Sequence, residues 1–349
     1  MTWQGIRGHD AIAGRFRTAI QRGRLASTFL FVGAPGVGKR LFALKLAQAL
    51  LCDTVPPETF NPCGRCAACT QVEVGTHPDV QIVSKPADKS TLPLELFIGD
   101  DEHRMREGLC YNLTLKPFSG KRRIAIIDDA DYLNKEGANC LLKTLEEPPP
   151  KSVLILLGTS EQRQLPTIRS RCQIVRFLPL AKDDLRTILW EQRLVETEAD
   201  ADKAASLSHG GVESALRALD PSVLEFRMLF LDQLAADDFD QIKTAKFAAE
   251  FVEQAGKEAP AKRKRLLETL GIAEEFFACT LRSSSGLHDD VDPPLRAAVD
   301  TLLRRRPPGD EAIATCLERT IAARGHVEAN ASPQNVLDAW LDDVAAERR

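Results

Sequence analysis

Along the first 180 residues, apolar positions gather into short runs separated by longer stretches of mixed polarity. The runs at 29–32, 80–83, 124–127, 153–157 and 174–177 show no alternation. That pattern predicts strands covered on both faces, as in a parallel sheet. Between them, 40–51 and 138–146 carry helical periodicity. The region therefore predicts an α/β fold, with a parallel five-stranded sheet layered by helices. After Pro179 the strand signal stops. Short helices are predicted at 183–193, 200–208 and 213–219, with a break at Gly210-Gly211 and a boundary at Pro221. From there to the end the pattern is helical. Its breaks fall at Glu258-Ala259-Pro260, Asp292-Pro293-Pro294, Pro307-Pro308-Gly309 and Ser332-Pro333. Three domains follow as the expectation: an α/β domain over 1–178, a small helical lid over 179–220 and a helical domain over 221–349.

Composition narrows the function. Of 349 residues, 44% are hydrophobic and 28% charged, enough for ordinary cores. A net charge of −4 argues against a general nucleic-acid binder, because affinity for phosphate backbones needs a basic excess. No apolar block near the N-terminus reads as a signal peptide, and no run is long enough to span a bilayer, so a cytoplasmic protein is expected. Arg304-Arg305-Arg306 reads as a solvated helix end. Trp190 and Trp340 read as packing or subunit contacts, and His9 as a pocket or surface residue.

The first predicted strand runs into Gly33-Ala34-Pro35-Gly36-Val37-Gly38-Lys39-Arg40. Strand, glycine-rich turn and helix are what a phosphate loop requires. Gly33, Gly36 and Gly38 let backbone N–H groups converge on phosphate oxygens, and Lys39 reaches the β- and γ-phosphates. A magnesium-binding Ser or Thr belongs after the lysine; here Arg40 stands there. ATP binding remains open on this reading, while metal-assisted hydrolysis is disfavoured. A second departure lies on the strand ending in Asp128-Asp129. Asp128 has the place of a metal-holding Walker B carboxylate. Its neighbour Asp129 is one methylene shorter than the glutamate that usually orients water. The plainer alternatives are an Arg40 turned to solvent and two solvated acids at a strand end.

Nine cysteines occur, an odd number that argues against a disulfide framework. Cys52, Cys63, Cys66 and Cys69 cluster, the last three at C-x₂-C spacing. Four thiolates suit a closed, structural Zn²⁺ site within an insertion over 52–69, with His77 as a spare ligand.

Further along come Ala138-Asn139-Cys140-Leu141-Leu142-Lys143-Thr144-Leu145-Glu146-Glu147-Pro148 and Ser170-Arg171-Cys172. Together with the phosphate loop and the cysteine insertion, this series resembles the bacterial clamp-loader subunits of DNA polymerase III, a branch of the AAA+ P-loop proteins. The resemblance is strong over about 5–220. Beyond that it rests on Asn330-Ala331-Ser332-Pro333-Gln334 before an amphipathic helix. It implies that Arg171, flanked by Ser170 and Cys172, reaches in trans to ATP held by an adjacent subunit. Arginine suits that role because its planar fork meets phosphate oxygens bidentately. The alternative is a structural arginine at a strand start, and Cys172 reads as a small buried residue. Motor subunits of this family carry a phosphate-sensing arginine in the lid where this chain has Glu213.

The resemblance further implies a hydrolysis-deficient subunit without independent enzymatic activity. Its partners would be the tau/gamma motor subunits and the delta subunit, and through the complex the sliding clamp and primed DNA. A polymerase (nucleotidyltransferase) label would belong to the holoenzyme. Two rival readings are an ATP-hydrolysing motor of the same family and a zinc-dependent DNA-binding module.

Overall fold

The computed structural model describes residues 3–348, apart from 87–88, 90, 105, 209, 288–290, 306–308 and 330. Arg306, Pro307, Pro308 and Asn330, singled out above, lie outside the described residues. The chain divides into two compact units, Met1–Ala215 and Leu216–Arg349.

The first unit is built on a five-stranded sheet, and its strands match the five apolar runs. They are β1 (Thr28–Val32), β2 (Val80–Val83), β3 (Arg123–Ile127), β4 (Ser152–Gly158) and β5 (Gln173–Arg176). Their order across the sheet is β2-β3-β4-β1-β5, and all pairings are parallel. Successive side chains point to opposite faces. Phe29, Phe31, Ile124, Ile126, Val153 and Ile155 join one core, whereas Leu30, Val32, Ala125, Ile127, Leu154 and Leu156 join the other. Both faces of the central strands β1, β3 and β4 are covered, which is why their runs show no alternation. On the first face the helix Lys39–Leu51 buries Phe42, Leu46 and Leu50. The Phe42 ring packs 5.4 Å from Phe177 and 4.9 Å from Trp3. Each fully buried side chain of this size contributes about 2–3 kcal/mol by leaving water. The helices Lys182–Glu191, Glu198–Leu207 and Val212–Arg217 follow β5, close to the expected lid segments.

Asp79 fixes the loop that leads into β3. Its buried carboxylate accepts the N–H groups of Phe118 at 2.6 Å and Ser119 at 2.8 Å, and Arg123 lies 3.7 Å away. Burial opposes ionisation, but these bonds and the guanidinium hold the carboxyl below its usual range. The contribution to stability is therefore complete above the ordinary carboxylate pKa and is lost as pH falls through the depressed folded value. Asp79→Ala leaves two backbone N–H groups and the largely buried Arg123 guanidinium without their acceptor. It is expected to destabilise this unit by about 3 kcal/mol, measured by urea unfolding at neutral pH.

The second unit is helical among its described residues. Its helices are Pro221–Ala235, Gln241–Glu253, Ala259–Ser284, Pro293–Arg305, Asp310–Glu328 and Pro333–Glu347. The breaks read from the sequence became helix starts. Asp220 caps the first helix through Ser222 N–H, and Pro221, Pro260 and Pro333 stand in first turns, where a missing N–H costs nothing. Trp340 is buried and donates its indole N–H to Thr320 at 2.9 Å, as its packing role required. The buried Arg227 pairs with Glu275 at 2.9 Å and Asp292 at 2.7 Å. Among the described residues, no helix is long and apolar enough to cross a membrane.

Candidate functional site

The glycine-rich turn leaves β1 and enters the helix Lys39–Leu51. Gly36 and Gly38 hold φ of +76° and +99°, a conformation that side chains with a Cβ rarely adopt. Gly38 caps the helix without a side-chain hydrogen bond. Lys39 folds back into the turn, where Nζ donates to Gly33 O at 2.5 Å and Ala34 O at 2.8 Å. Burial lowers its pKa, against the opposing pull of Asp131 and Asp128. His9 is buried, not at the surface: its Nε2 donates to Val37 O at 2.7 Å, and its ring meets Phe177 edge-on.

Arg40 is not simply solvated. Its Nη1 lies 3.1 Å from Asp128 Oδ2, at the end of β3. Burial and the neighbouring Asp129 raise the pKa of Asp128, and Arg40 works against them. Asp129 takes a left-handed backbone, φ +58°, and its carboxylate accepts Lys85 N–H at 3.3 Å. Spacing along the chain gave no sign of that commitment. Asp131, also missed by sequence reasoning, accepts both the N–H and the hydroxyl of Thr159 and a bond from Gln164.

The segment around 211–213 packs against the loop. Val212 N–H donates to Gly36 O at 3.1 Å. A Cβ on Gly36 would meet Glu213 N at 2.7 Å, and one on Gly211 would meet Pro35 O at 2.4 Å. Only glycine therefore fits at these close approaches, and Glu213 comes to stand beside the turn.

Arg171 sits just before β5, and its side chain keeps about a third of its surface exposed. Nε donates to Glu146 Oε1 at 2.7 Å and Nη2 bonds the same oxygen. Nη1 donates to Thr167 O at 3.0 Å and to Ser170 Oγ at 3.2 Å. Ser170 thus touches the guanidinium directly. Cys172 is half-buried, and burial pushes its thiol up to about 12, as suits a packing residue and not a nucleophile. Glu146 was legible as part of a motif but not as the arginine's partner.

Cys52 ends the loop's helix, Cys63 follows in the insertion, and Cys66 caps the helix Ala67–Val74 that carries Cys69. The four Sγ atoms lie within 4.8 Å of one another, with Cys52–Cys66 at 3.8 Å and Cys63–Cys69 at 4.0 Å. Tetrahedral Zn–S bonds of about 2.3 Å place sulfurs about 3.8 Å apart, so the donor set fits. Cys63 Sγ accepts the N–H groups of Arg65 and Cys66, and Cys66 Sγ those of Asp53 and Cys69. Hydrogen bonds from Thr54 and Arg65 bring the Cys63 thiol down to about 6, whereas burial pushes Cys69 up. His77 is buried and accepts Asp79 N–H on Nδ1, and it is not a member of the cluster. Lys121 ties the lobe down by donating to Leu51 O, Cys52 O and Asp53.

A parallel sheet in this order, with a phosphate loop after β1 and acids at the end of β3, defines an α/β protein of the AAA+ P-loop class. A family model described as "DNA polymerase III, delta subunit" matches residues 8–181, and the chain belongs to that family. Among curated proteins it is similar to the DNA polymerase III subunit delta' of Pseudomonas aeruginosa, 34% identical over 59% of this chain and 60% of that protein. The delta' subunit of Escherichia coli is 32% identical over 57% and 56%. The gamma/tau subunit of Mycobacterium tuberculosis is 31% identical over 55% of this chain and 31% of that protein. The match with the delta' subunits spans little more than half of their length. A solved DNA polymerase III gamma subunit-related protein from Thermotoga maritima aligns at 15% identity and a TM-score of 0.35, covering 96% of this chain and 100% of that one.

Proposed function

We propose that the chain is a fixed, delta-prime-type subunit of the bacterial clamp loader, helping ATP-driven loading of the sliding clamp onto primed DNA. One observation carries this reading. An arginine stands partly exposed on a turn before the edge strand β5, while the chain's own phosphate loop has its metal position taken by Arg40 and Asp128. Arg171 would donate its guanidinium to ATP held next door and stabilise charge developing on the γ-phosphate. Ser170 and Glu146 would orient it, and Cys172 would pack beneath.

The partners would be the tau/gamma motor subunits and the delta subunit, with clamp and primed DNA reached through the complex. Residues 1–178 would form the nucleotide-binding-like domain, 179–220 the lid and 221–349 the oligomerisation collar. Cys52, Cys63, Cys66 and Cys69 would hold one Zn²⁺, which would cross-link the insertion. The work would be cytoplasmic.

The test is reconstitution with motor and delta subunits. Clamp loading onto primed DNA should need this chain, and loading that proceeds equally well without it would remove the proposal. Lys39 and Asp128 motivate a second reading, an ATP-hydrolysing motor. The isolated chain is expected to show no Mg²⁺-dependent ATP turnover above background in a phosphate-release assay. Turnover that disappears in Lys39→Ala would favour the motor.

A further inference from the structure

A magnesium site and this loop do not fit together. The position that should offer a hydroxyl to the ion carries Arg40, whose guanidinium is already on Asp128 Oδ2 at 3.1 Å. The other oxygen of Asp128 accepts Asp129 N–H at 3.2 Å. Both oxygens that would approach a hydrated cation are therefore engaged by the chain itself. A divalent ion would have to displace a guanidinium and then remain beside it, and like charges at contact distance repel.

The anion-binding half of the same loop is intact. Gly36 and Gly38 keep the left-handed turns, and the thirteen-residue helix behind them has no side-chain cap. The lid takes a carbonyl of the loop, Gly36 O, and none of its N–H groups. Among the described residues, the N–H groups of Gly36, Val37 and Gly38 have no acceptor. Lys39 lies within the turn on two carbonyls that a phosphate oxygen would replace. Such a set of convergent N–H groups at a helix start binds phosphate without further help.

We propose that the loop binds a nucleoside polyphosphate in its metal-free form, with the Arg40 guanidinium standing where magnesium would. This rests on reading Gly33 to Lys39 as a phosphate loop. The bound nucleotide is then a fixed ligand, not a fuel. Arg40 neutralises Asp128 so that the β- and γ-phosphates meet Lys39 and Arg40 in place of a repelling carboxylate. It activates no water, because a guanidinium has no coordination position to offer one.

The experiment is equilibrium binding of ATP and of ADP to the full chain by calorimetry, once with Mg²⁺ and once with excess EDTA. The two wild-type affinities should agree within about twofold. Lys39→Ala should lose binding, which locates the ligand in this loop. Arg40→Thr, which restores the hydroxyl and frees Asp128, should become metal-dependent, binding at least about tenfold more tightly with Mg²⁺ than in EDTA. Wild-type binding that requires Mg²⁺ would overturn the metal replacement and leave the phosphate loop standing. No binding under either condition by a chain with a normal cooperative melt would overturn the loop reading and the proposal with it. An Arg40→Thr variant as indifferent to metal as the wild type would show that Arg40 is not the substitute.

Discussion

Arg171→Ala is expected to slow hydrolysis at the neighbouring ATP site by about 10³-fold or more while the subunits still assemble. The size of the effect follows from what the proposed finger would do in the transition state. Charge gathers on the γ-phosphate oxygens, and a planar, permanently ionised fork stabilises it where water is excluded. On the proposed reading, the folded chain would hold that fork ready. Four of its five N–H groups are already engaged, two by one oxygen of Glu146 and two by Thr167 O and Ser170 Oγ. None of these partners is deeply buried, so an arriving triphosphate can exchange with Glu146 at small cost. Arg171→Lys keeps the charge and loses the fork, and it should recover only a small part of the rate. Single-turnover hydrolysis in the reconstituted complex is the right measurement, because steady-state turnover averages over sites this chain does not complete. Gel filtration of the same sample separates a lost finger from a lost assembly. Unchanged single-turnover hydrolysis would remove the finger from the proposal.

What could be read in advance depended on how local the cause was. The central strands β1, β3 and β4 are buried on both faces, so their runs are almost wholly apolar and visible in the sequence, whereas the edge strands β2 and β5 are partly exposed and carry Gln81 and Arg176. The phosphate loop was legible because its glycines, lysine and flanking elements are contiguous. The cysteine cluster was legible because thiol spacing constrains metal geometry directly. Contacts between distant segments were not. Arg40 meets Asp128 across 88 residues, and nothing near Arg40 in sequence indicates an acid. His9 stands in a polar segment, yet it is buried because Val37 O faces it at the far side of the loop. Asp79, which the sequence pattern does not single out, organises a loop forty residues onward. Each of these pairings became apparent only once the sheet order had brought the segments together.

Cys66→Ser is expected to release the proposed zinc and to loosen the lobe around it, to an extent set by how much of the unit depends on the metal. Structural zinc contributes about 10–16 kcal/mol of apparent binding energy to isolated fingers, which do not fold without it. This unit is different, because its sheet has two cores of its own. The lobe is also anchored without metal. Trp3 stacks on Phe60 at 4.2 Å and donates to Phe60 O at 2.7 Å, and Lys121 holds the carbonyls of Leu51 and Cys52. Loss of zinc should therefore cost the unit about 3 kcal/mol, not its fold, and lower its melting temperature by about 10 °C. The damage should be local, with proteolysis appearing first within 53–75. Metal analysis of the purified wild type should give one zinc per chain, and Cys140→Ser, outside the cluster, should leave that value unchanged. A wild-type protein free of zinc, or a Cys66→Ser variant that melts like its parent, would rule out the structural metal. If the zinc is present, four thiolates about 3.8 Å apart leave no coordination position for substrate or water, so its contribution is to hold the insertion against the helix that carries Lys39.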